Sequence, residues 1–440
     1  MRRTAIALAV GALFIAPAAQ AQSNVASTFD AKLGGYVQMN TTWDSDEDDN
    51  DTLSALRKIA PLPRKAQNGT LPGSAQDGQK TLRWASTRTR LFLDVHGSEL
   101  WGAKTRAYVE MDFDGLRLNE DSGAASASAA NTPRLRRAYM RWDWTNTWVL
   151  IGQQTLIFLD AVSPYGTTFI EGVGTQQGAI TGGARNRAPA FIAAHNFHFG
   201  GSNLEVIGSV ARNATNNQPL TDLNDSGARA ERPAYETMVK WTMPLFGRQA
   251  LAAVSTYWGE ETINNNPALA PDTATITGTA AALRTQTLRN VGTGLQGALP
   301  LGPLTPIGSF EVRGSAFRAT NMATWNLGSN STTSTTPGLA APVHAHGGWA
   351  EVNWQITPKH GVAAGGGVSK DDRNDVLAIG GTTLRVQDNQ GYWLMWTWTD
   401  GPFGFLTSVS NVNTAWITPT TNAETRNSSQ SVHFVFRYSF

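Results

Sequence analysis

A two-residue alternation of apolar and polar side chains recurs along this chain, and it favours extended structure. The last ten residues, SVHFVFRYSF, show it most clearly: Val432, Phe434, Phe436, Tyr438 and Phe440 share one parity, and the other parity is largely polar. Successive side chains of a strand point to opposite faces. The segment therefore predicts a strand that is apolar on one face and polar on the other.

The same alternation predicts about sixteen strands over the whole chain. Their approximate spans are 31–44, 84–97, 104–114, 134–144, 148–156, 188–198, 202–213, 232–243, 249–261, 284–299, 305–321, 347–357, 361–371, 389–400, 403–416 and 431–440.

The segments between these strands alternate in length. Short ones, such as TNT at 145–147 and GPFG at 401–404, carry turn residues, whereas long polar ones include 45–83, 115–133 and 417–430. An even strand count, short turns at one rim and long loops at the other are typical of outer-membrane barrels. We therefore expect an all-β fold: a closed antiparallel transmembrane β-barrel with short periplasmic turns and long extracellular loops.

Hydrocarbon offers no hydrogen bonds, so a sheet can span lipid only when it is closed and has no free edge. The strand that ends at Phe440 must then pair with 31–44, and Phe440 itself is expected at the periplasmic rim. Aromatic residues beside the turns, such as Trp142, Trp144 and Trp148, resemble interfacial girdles.

The N-terminus has the pattern of a secretory signal. Arg2 and Arg3 precede a short apolar run, and small residues lead to an expected cleavage after Ala21. We expect residues 1–21 to be removed and residues 22–440 to form one barrel domain in the outer membrane of a Gram-negative bacterium.

Composition and motifs exclude several alternatives. A formal net charge of +1 gives no indication of a nucleic-acid partner. The chain has no cysteine, so disulfides do not contribute to its stability. The GTGLQG stretch at 292–297 lies within a predicted strand, so its glycines are read as small wall residues. His344 and His346, placed in one loop, are weak evidence for a metal, and no cofactor is expected. The acidic stretch 44–51 is interpreted as a solvated surface, with divalent-cation binding as the alternative.

The polar faces of the strands should line a water-filled lumen, because about sixteen strands enclose a channel. Cations on those faces are Arg88, Arg90, Lys104, Arg106, Arg137, Arg141, Arg313 and Arg437, and acids are Asp94, Glu110, Asp112, Asp143, Glu311 and Glu351. One interpretation is that these charges only keep the lumen hydrated and pair across neighbouring strands. The other is that the cations form a basic patch that coordinates anionic solutes.

The long segment 157–187 is predicted to fold into the lumen and narrow it, with Asp160, Glu171, Arg185 and Arg187 as candidate constriction charges. The alternative is an exposed surface loop.

The stretch PRLRRAYMRWDWTNTWVLIGQQTLIFLD at 133–160 resembles DcaP-like outer-membrane porins, and 86–97 with 102–115 resembles their preceding hairpin. The resemblance implies a sixteen-stranded trimeric channel with an arginine-lined constriction that favours small anionic solutes such as dicarboxylates. The cations at matching positions are Arg88, Arg90, Arg106, Arg134, Arg136, Arg137 and Arg141.

Together these features predict a porin that lets small hydrophilic solutes diffuse passively, with a local preference for anions. The expected partners are outer-membrane lipid, small anionic solutes, two further copies of the chain, and the barrel-assembly machinery through the strand ending at Phe440. An outer-membrane enzyme and a non-conducting surface structure or adhesin remain the alternatives.

Overall fold

The computed structural model describes residues 30–45, 48–49, 60–61, 80–115, 132–164, 186–213, 230–264, 285–302, 305–322, 325, 327–328, 342–379 and 384–440. Its strands are β1 Asp30–Asp44, β2 Asp48–Asp49, β3 Ala60–Pro61, β4 Thr81–Ala85, β5 Arg90–His96, β6 Lys104–Gly115, β7 Thr132–Asp143, β8 Thr147–Thr155, β9 Arg187–Phe199, β10 Ser202–Ala211, β11 Ala234–Leu245, β12 Arg248–Asn264, β13 Thr285–Pro300, β14 Ser309–Thr320, β15 His344–Gln355, β16 His360–Asp371, β17 Arg385–Asp400, β18 Phe403–Thr418 and β19 Ala423–Ser439. One helix is described, α1 Arg373–Ile379.

Seventeen of these strands form one antiparallel sheet that closes on itself. Strand β1 pairs with β19, from Tyr36 opposite Ser439 to Asp44 opposite Ser431. At the rim, the amide of Gly35 donates to the carbonyl of Phe440 at 3.1 Å, and the amide of Phe440 donates back at 3.0 Å. The predicted closure by the last strand is therefore confirmed.

The second barrel strand is interrupted. Both β4 and β5 pair with β1, at Asn40–Asp44 and Asp30–Tyr36 respectively, so together they occupy one position in a sixteen-stranded barrel. Four residues, 86–89, separate β4 from β5. Only three residues of β1, 37–39, separate the segments that pair with β5 and β4, so the interrupted strand has one extra residue. This extra residue, a bulge-like feature, is why the strand predicted at 84–97 is not continuous.

The alternation places polar side chains inside and apolar side chains outside. On β6, Glu110 and Asp112 are 3% and 0% exposed and face the lumen, whereas Val109 is 40% exposed on the outside. On β19, Phe436 and Tyr438 are exposed outside while His433 is buried inside. The inward and outward faces predicted for these strands are thus confirmed.

The short turns have the backbone that tight hairpins require. Trp101 and Gly102 have φ of 53° and 74°, and Phe246 and Gly247 have φ of 54° and 72°. Positive φ at both central residues is the type I′ geometry that suits the twist of a two-residue hairpin. All of these turns lie at the rim of the barrel that carries the two chain ends of the sheet.

Several sequence predictions need correction. Residues 417–430 were expected to form a long loop, but β18 and β19 extend through them and leave only a tight turn around Asn422. His344 and His346 begin strand β15 and do not lie in a loop. Trp148 points into the lumen, where its Nε1 donates to Glu205 Oε1 at 2.9 Å, so it belongs to no outer girdle.

Residues 417–430 were predicted as a loop because they are polar. Strands of this barrel, however, continue beyond the apolar band as hydrogen-bonded hairpins. Period-two alternation also gave no signal for α1. Among the residues that the structure describes, no helix is long and apolar enough to cross a membrane.

The remaining predictions on the termini and loops fall mostly outside the described residues. This applies to the signal segment 1–21 and to half of the acidic stretch 44–51, of which Asp48 and Asp49 form β2 and pair with β3 as a small separate sheet.

Candidate functional site

The chain that follows β8 turns into the barrel. Residues 156–164, here called the lumen segment, run along the inner wall formed by β11–β14. The amide of Ile157 donates to Glu236 Oε2 at 2.9 Å, and the amide of Leu159 donates to Ser255 Oγ at 3.2 Å. Glu236 and Ser255 are 1% and 2% exposed and face inward. Two wall side chains thus accept backbone hydrogen bonds that no strand supplies to this segment.

Gln296 of β13 holds the middle of the lumen segment with one side chain. Its Oε1 accepts from the amide of Ala161 at 2.9 Å. Its Nε2 donates to the carbonyls of Leu159 and Val162 at 3.0 and 2.8 Å. A side-chain amide suits this position because it offers an acceptor and two donors at once.

Apolar packing adds to these bonds. Phe158 is fully buried, with its ring centroid 5.5 Å from that of Trp325 in an edge-on contact and 6.0 Å from that of Tyr257. Glycines of β13 make room for it: a Cβ on Gly292 would lie 2.5 Å from Phe158 Cζ, and one on Gly294 would lie 2.2 Å from Leu159 Cδ2. The GTGLQG stretch therefore lies in a strand, and its first two glycines admit the lumen segment.

The opposite side of the lumen carries a dense set of charges on β5, β6 and β7, here called the cationic wall. Glu110 Oε1 accepts from Arg136 Nε at 2.8 Å and lies 3.4 Å from Arg90 Nη1. Asp112 accepts two bonds from Arg134, at 2.9 and 2.7 Å, and one from Arg136 at 2.5 Å. Two carboxylates thus face four guanidinium groups when Arg137, 4.0 Å from Glu110, is included.

A bulge in β7 explains how so many arginines reach the lumen. Glu110 pairs with Arg137, but the next residue, Met111, pairs with Leu135, so Arg136 is an extra residue in the ladder. A bulge of this kind changes which side chains share a face. Arg136 is fully buried against Glu110 and Asp112, and its neighbour Arg137 also reaches inward.

Closer to the periplasmic turns, the wall is a sequence of paired charges. Arg106 makes a two-bond contact with Asp94, at 2.7 and 2.8 Å. Arg141 contacts Asp143, with the shortest bond at 2.6 Å, and its guanidinium lies 4.4 Å from the ring centroid of Trp148. Cations and acids balance in this part of the wall, so the excess of positive charge lies farther from the periplasmic turns.

A cavity of about 580 Å³ lies between the tip of the lumen segment and the cationic wall. Its charged lining residues are Arg90, Arg137, Arg313, Arg437 and Glu311. The guanidinium groups of Arg437 and Arg90 lie 3.7 and 5.3 Å from the ring centroid of Tyr36. Arg313 comes from β14, on the far side of the barrel, so a solute in this cavity meets cations from both sides.

Not every predicted site residue lies in this cavity. Asp160 is in the lumen segment, Arg187 begins β9 and Lys104 is exposed at the start of β6. Arg88 lies in the break between β4 and β5, and Glu171 and Arg185 fall outside the described residues. The roles predicted for these residues, in the pore lining for Arg88 and Lys104 and in the constriction for the others, stay predictions.

Sequence reasoning missed Gln296, Glu236 and Tyr36. The alternation placed them on a strand face, but nothing in the sequence marks an inward polar residue as the anchor of a distant segment. In the part of the chain that the structure describes, no group of three or more metal-ligating side chains comes together.

No family model and no curated protein matches this chain. Solved structures do. The outer membrane channel DcaP of Acinetobacter baumannii is 18% identical with a TM-score of 0.64, and the match covers 94% of this chain and 98% of that one.

Two further structures are an anion-selective porin from Comamonas acidovorans (11% identity, TM-score 0.50, 94% and 100% covered) and OmpT, an outer membrane protein of Vibrio cholerae, in a trimer form (8%, 0.51, 94% and 100%). At such identities the likeness concerns the fold. The chain therefore has the fold of outer-membrane channels and porins, and its resemblance to DcaP-like porins is confirmed at that level.

Proposed function

We propose that this protein is an outer-membrane porin through which small hydrophilic solutes diffuse passively, with a local preference for anions such as dicarboxylates. The observation that carries the proposal is the cavity of about 580 Å³ whose charged lining comprises four arginines and one glutamate. Such a lining attracts anions and repels cations at the point where the lumen segment narrows the passage.

The preference for two carboxylates follows from the distribution of these arginines. Arg90 and Arg137 extend from β5 and β7, whereas Arg313 extends from β14 on the opposite wall. A guanidinium group binds a carboxylate through two parallel hydrogen bonds. A solute with a carboxylate at each end can therefore contact both walls at once.

The immediate surroundings hold these arginines in place. Arg90 stacks near Tyr36 and lies near Glu110, and Arg137 Nη2 donates to Thr155 Oγ1 at 3.2 Å. Glu110 is shared with the fully buried Arg136, so it neutralises only part of the charge around it. Arg313 is held by Glu311, which accepts from its Nε at 2.5 Å.

The test is permeation of mono- and dicarboxylates through the purified protein in planar bilayers. The wild type should pass dicarboxylates more readily than uncharged solutes of equal size, and Arg90→Gln/Arg137→Gln should lose most of that difference. Lys359→Gln, a change at a short turn where Lys359 pairs with Asp400, should leave it unchanged. If the wild type and the double arginine variant pass dicarboxylates equally well, the anion preference is contradicted, whereas the channel function is not.

The remaining parts of the proposal concern location and assembly. Export through the signal at 1–21, residence in the outer membrane, a homotrimeric assembly and insertion by the barrel-assembly machinery through the strand ending at Phe440 all accord with a closed transmembrane barrel. Support for the trimer is the trimer form of the similarly folded OmpT. We infer a channel rather than an enzyme, since the names of the similar structures describe a channel and a porin.

A further inference from the structure

Three basic side chains lie next to one another on the outer surface of the barrel. Arg318 of β14 pairs in register with His346 of β15, and His346 pairs with Lys370 of β16. All three are exposed, while their sequence neighbours Phe317, Ala345 and Ser369 are buried on the lumen side. This basic row therefore faces away from the lumen, near the ends of the strands that lead into the long loops.

The basic row lacks an internal counter-charge. Directly opposed residues on neighbouring antiparallel strands have Cβ atoms about 5 Å apart, and like charges in that arrangement are destabilising. Among the described residues, none of the three makes an ion pair or side-chain hydrogen bond. Asp388 stands opposite Lys370 in the register and offsets part of the charge of that one residue, and its Oδ2 also accepts from Arg426 Nη2 at 3.5 Å.

An apolar groove of about 750 Å³ lies on the same outer face, on the side of the basic row that leads to the short turns. The register brings small residues side by side there: Ala252 pairs with Gly297, which pairs with Gly314, which pairs with Ala350. The larger residues Leu204, Val239, Trp241, Leu295 and Leu299 also line the groove.

The groove and the basic row are continuous. Ala316, which lines the groove, is the outward residue immediately before Arg318 on β14. Rising about 3.3 Å per residue, the strand carries Arg318 about 26 Å from Phe310, an aromatic residue that stacks on Trp354 near the short-turn rim. With a tilt of about 40°, that is about 20 Å along the barrel axis, close to the height of the apolar band of such barrels. The basic row thus lies where lipid headgroups begin.

We propose that this face binds a membrane lipid that carries phosphate on its headgroup and several acyl chains. The phosphate oxygens accept hydrogen bonds from Arg318 and Lys370, with His346 between them, and an acyl chain lies in the groove. Arginine and lysine are the usual phosphate ligands, and the groove has the apolar character that an acyl chain requires. The site is independent of solute selectivity, because it lies on the opposite side of the barrel wall.

Charge complementarity favours a lipid over a second copy of this chain. A lipid phosphate brings an anion to Arg318 and His346, which have no carboxylate among their register partners, together with the chain that fills the groove. A second copy would have to bring both a patch of acids and a matching apolar ridge to the same face.

The test titrates the full-length protein in detergent with a bisphosphorylated glucosamine lipid, lipid A, and with its dephosphorylated form, and counts bound lipid by native mass spectrometry. The wild type should bind the phosphorylated form more tightly. Removing two cations near a charged lipid surface should cost about a factor of thirty in affinity, so Arg318→Gln/Lys370→Gln should bind both forms alike. A matched control, Lys32→Gln/Lys359→Gln, removes the same charge at the short-turn rim and should bind like the wild type.

Two further arms separate the possible occupants. Ala350→Leu fills the groove without changing charge, and it should weaken binding of both lipid forms while the variant remains folded by heat-dependent gel mobility. Soluble pyrophosphate should compete poorly with the lipid. If it competes as well as the lipid does, the row is a site for free phosphate and the proposal fails.

The proposal is also overturned if the wild type does not distinguish the two lipid forms, or if a photoactivatable cross-linker attached to the thiol of Ala350→Cys links two subunits. The last result would assign the groove to a second copy, and it would be unambiguous because the natural chain has no cysteine.

Discussion

At the scale of single residues, the lumen depends on carboxylates that are each shared by several arginines. Glu110 contacts Arg136 and Arg90 and accepts a bond from the hydroxyl of Tyr108 at 3.0 Å. A buried guanidinium such as that of Arg136 is tolerated only because two carboxylates and their hydrogen bonds compensate its desolvation. The same carboxylates set how much positive charge a passing solute meets.

Replacing Glu110 with Gln should therefore have two effects. The reversal potential in a salt gradient should shift toward anions, because one negative charge leaves the lumen. Stability should fall by about 3 kcal/mol, since removing one partner of a buried pair leaves the other charge poorly compensated. Unfolding by urea and reversal potentials of the same preparation measure both.

The control is Glu424→Gln. Glu424 pairs with Arg373 and Arg426 at the partly exposed long-loop end of β19, where ion pairs contribute at most about 1 kcal/mol. An unchanged reversal potential in Glu110→Gln would show that this carboxylate does not influence the permeating ions.

Single residues also show where sequence reasoning succeeds and fails. Glu110 and Asp112 could be placed in the lumen from parity alone, because a regular strand sends alternate side chains to opposite faces. Arg136 and Arg137 could not both be placed by that rule, since adjacent residues share a face only at a bulge. Bulges depend on the register with a neighbouring strand, which one sequence does not reveal.

At the scale of elements, the lumen segment is anchored to β13 by one polar side chain and two glycines. Gln296 makes three hydrogen bonds to its backbone, and Gly292 and Gly294 leave room for Phe158 and Leu159. Most of the segment's inward course thus depends on a few wall positions.

Gln296→Leu should release the tip of the lumen segment. The three bonds are lost, so the single-channel current should become noisier and the mean conductance should rise. Gln249→Leu is the matched control: Gln249 also lines the cavity but has no described bond to the segment. Identical current traces for the two variants would contradict the anchoring role of Gln296.

Deleting residues 165–180 should raise the conductance further if the rest of segment 157–187 narrows the lumen, as the sequence predicts. The measurement is single-channel conductance of the deletion variant against the wild type. A conductance equal to that of the wild type would mean that residues 156–164 alone define the narrow region.

The barrel strands could be predicted because lipid on one side and water on the other impose alternation on each of them. An inward fold of 157–187 was predicted from the length and composition of that segment, but the path of residues 156–164 was not, because their packing partners Trp325 and Tyr257 come from distant parts of the chain. The break between β4 and β5 likewise depends on pairing with β1 and leaves no local signal.

At the scale of the whole molecule, closure depends on the two ends of the barrel sequence. Gly35 and Phe440 exchange two backbone hydrogen bonds, and Phe440 adds an exposed aromatic ring at the rim. Removing Phe440 should therefore reduce the yield of folded barrel, measured as the heat-dependent mobility shift in gels.

Refolding of the Phe440 deletion in detergent separates two causes of that loss. Normal refolding in vitro with poor assembly in cells would indicate recognition by the assembly machinery, whereas poor refolding in both would indicate lost closure. A deletion variant that assembles like the wild type in cells would contradict both.

The barrel is closed, and its cavity beside the lumen segment carries excess positive charge from Arg90, Arg137, Arg313 and Arg437. The most direct measurement is the reversal potential of the wild-type channel in a planar bilayer across a KCl gradient. We expect discrete conductance steps and a reversal potential of the sign that chloride permeation gives. The absence of conductance, or a reversal potential set by potassium, would contradict this expectation.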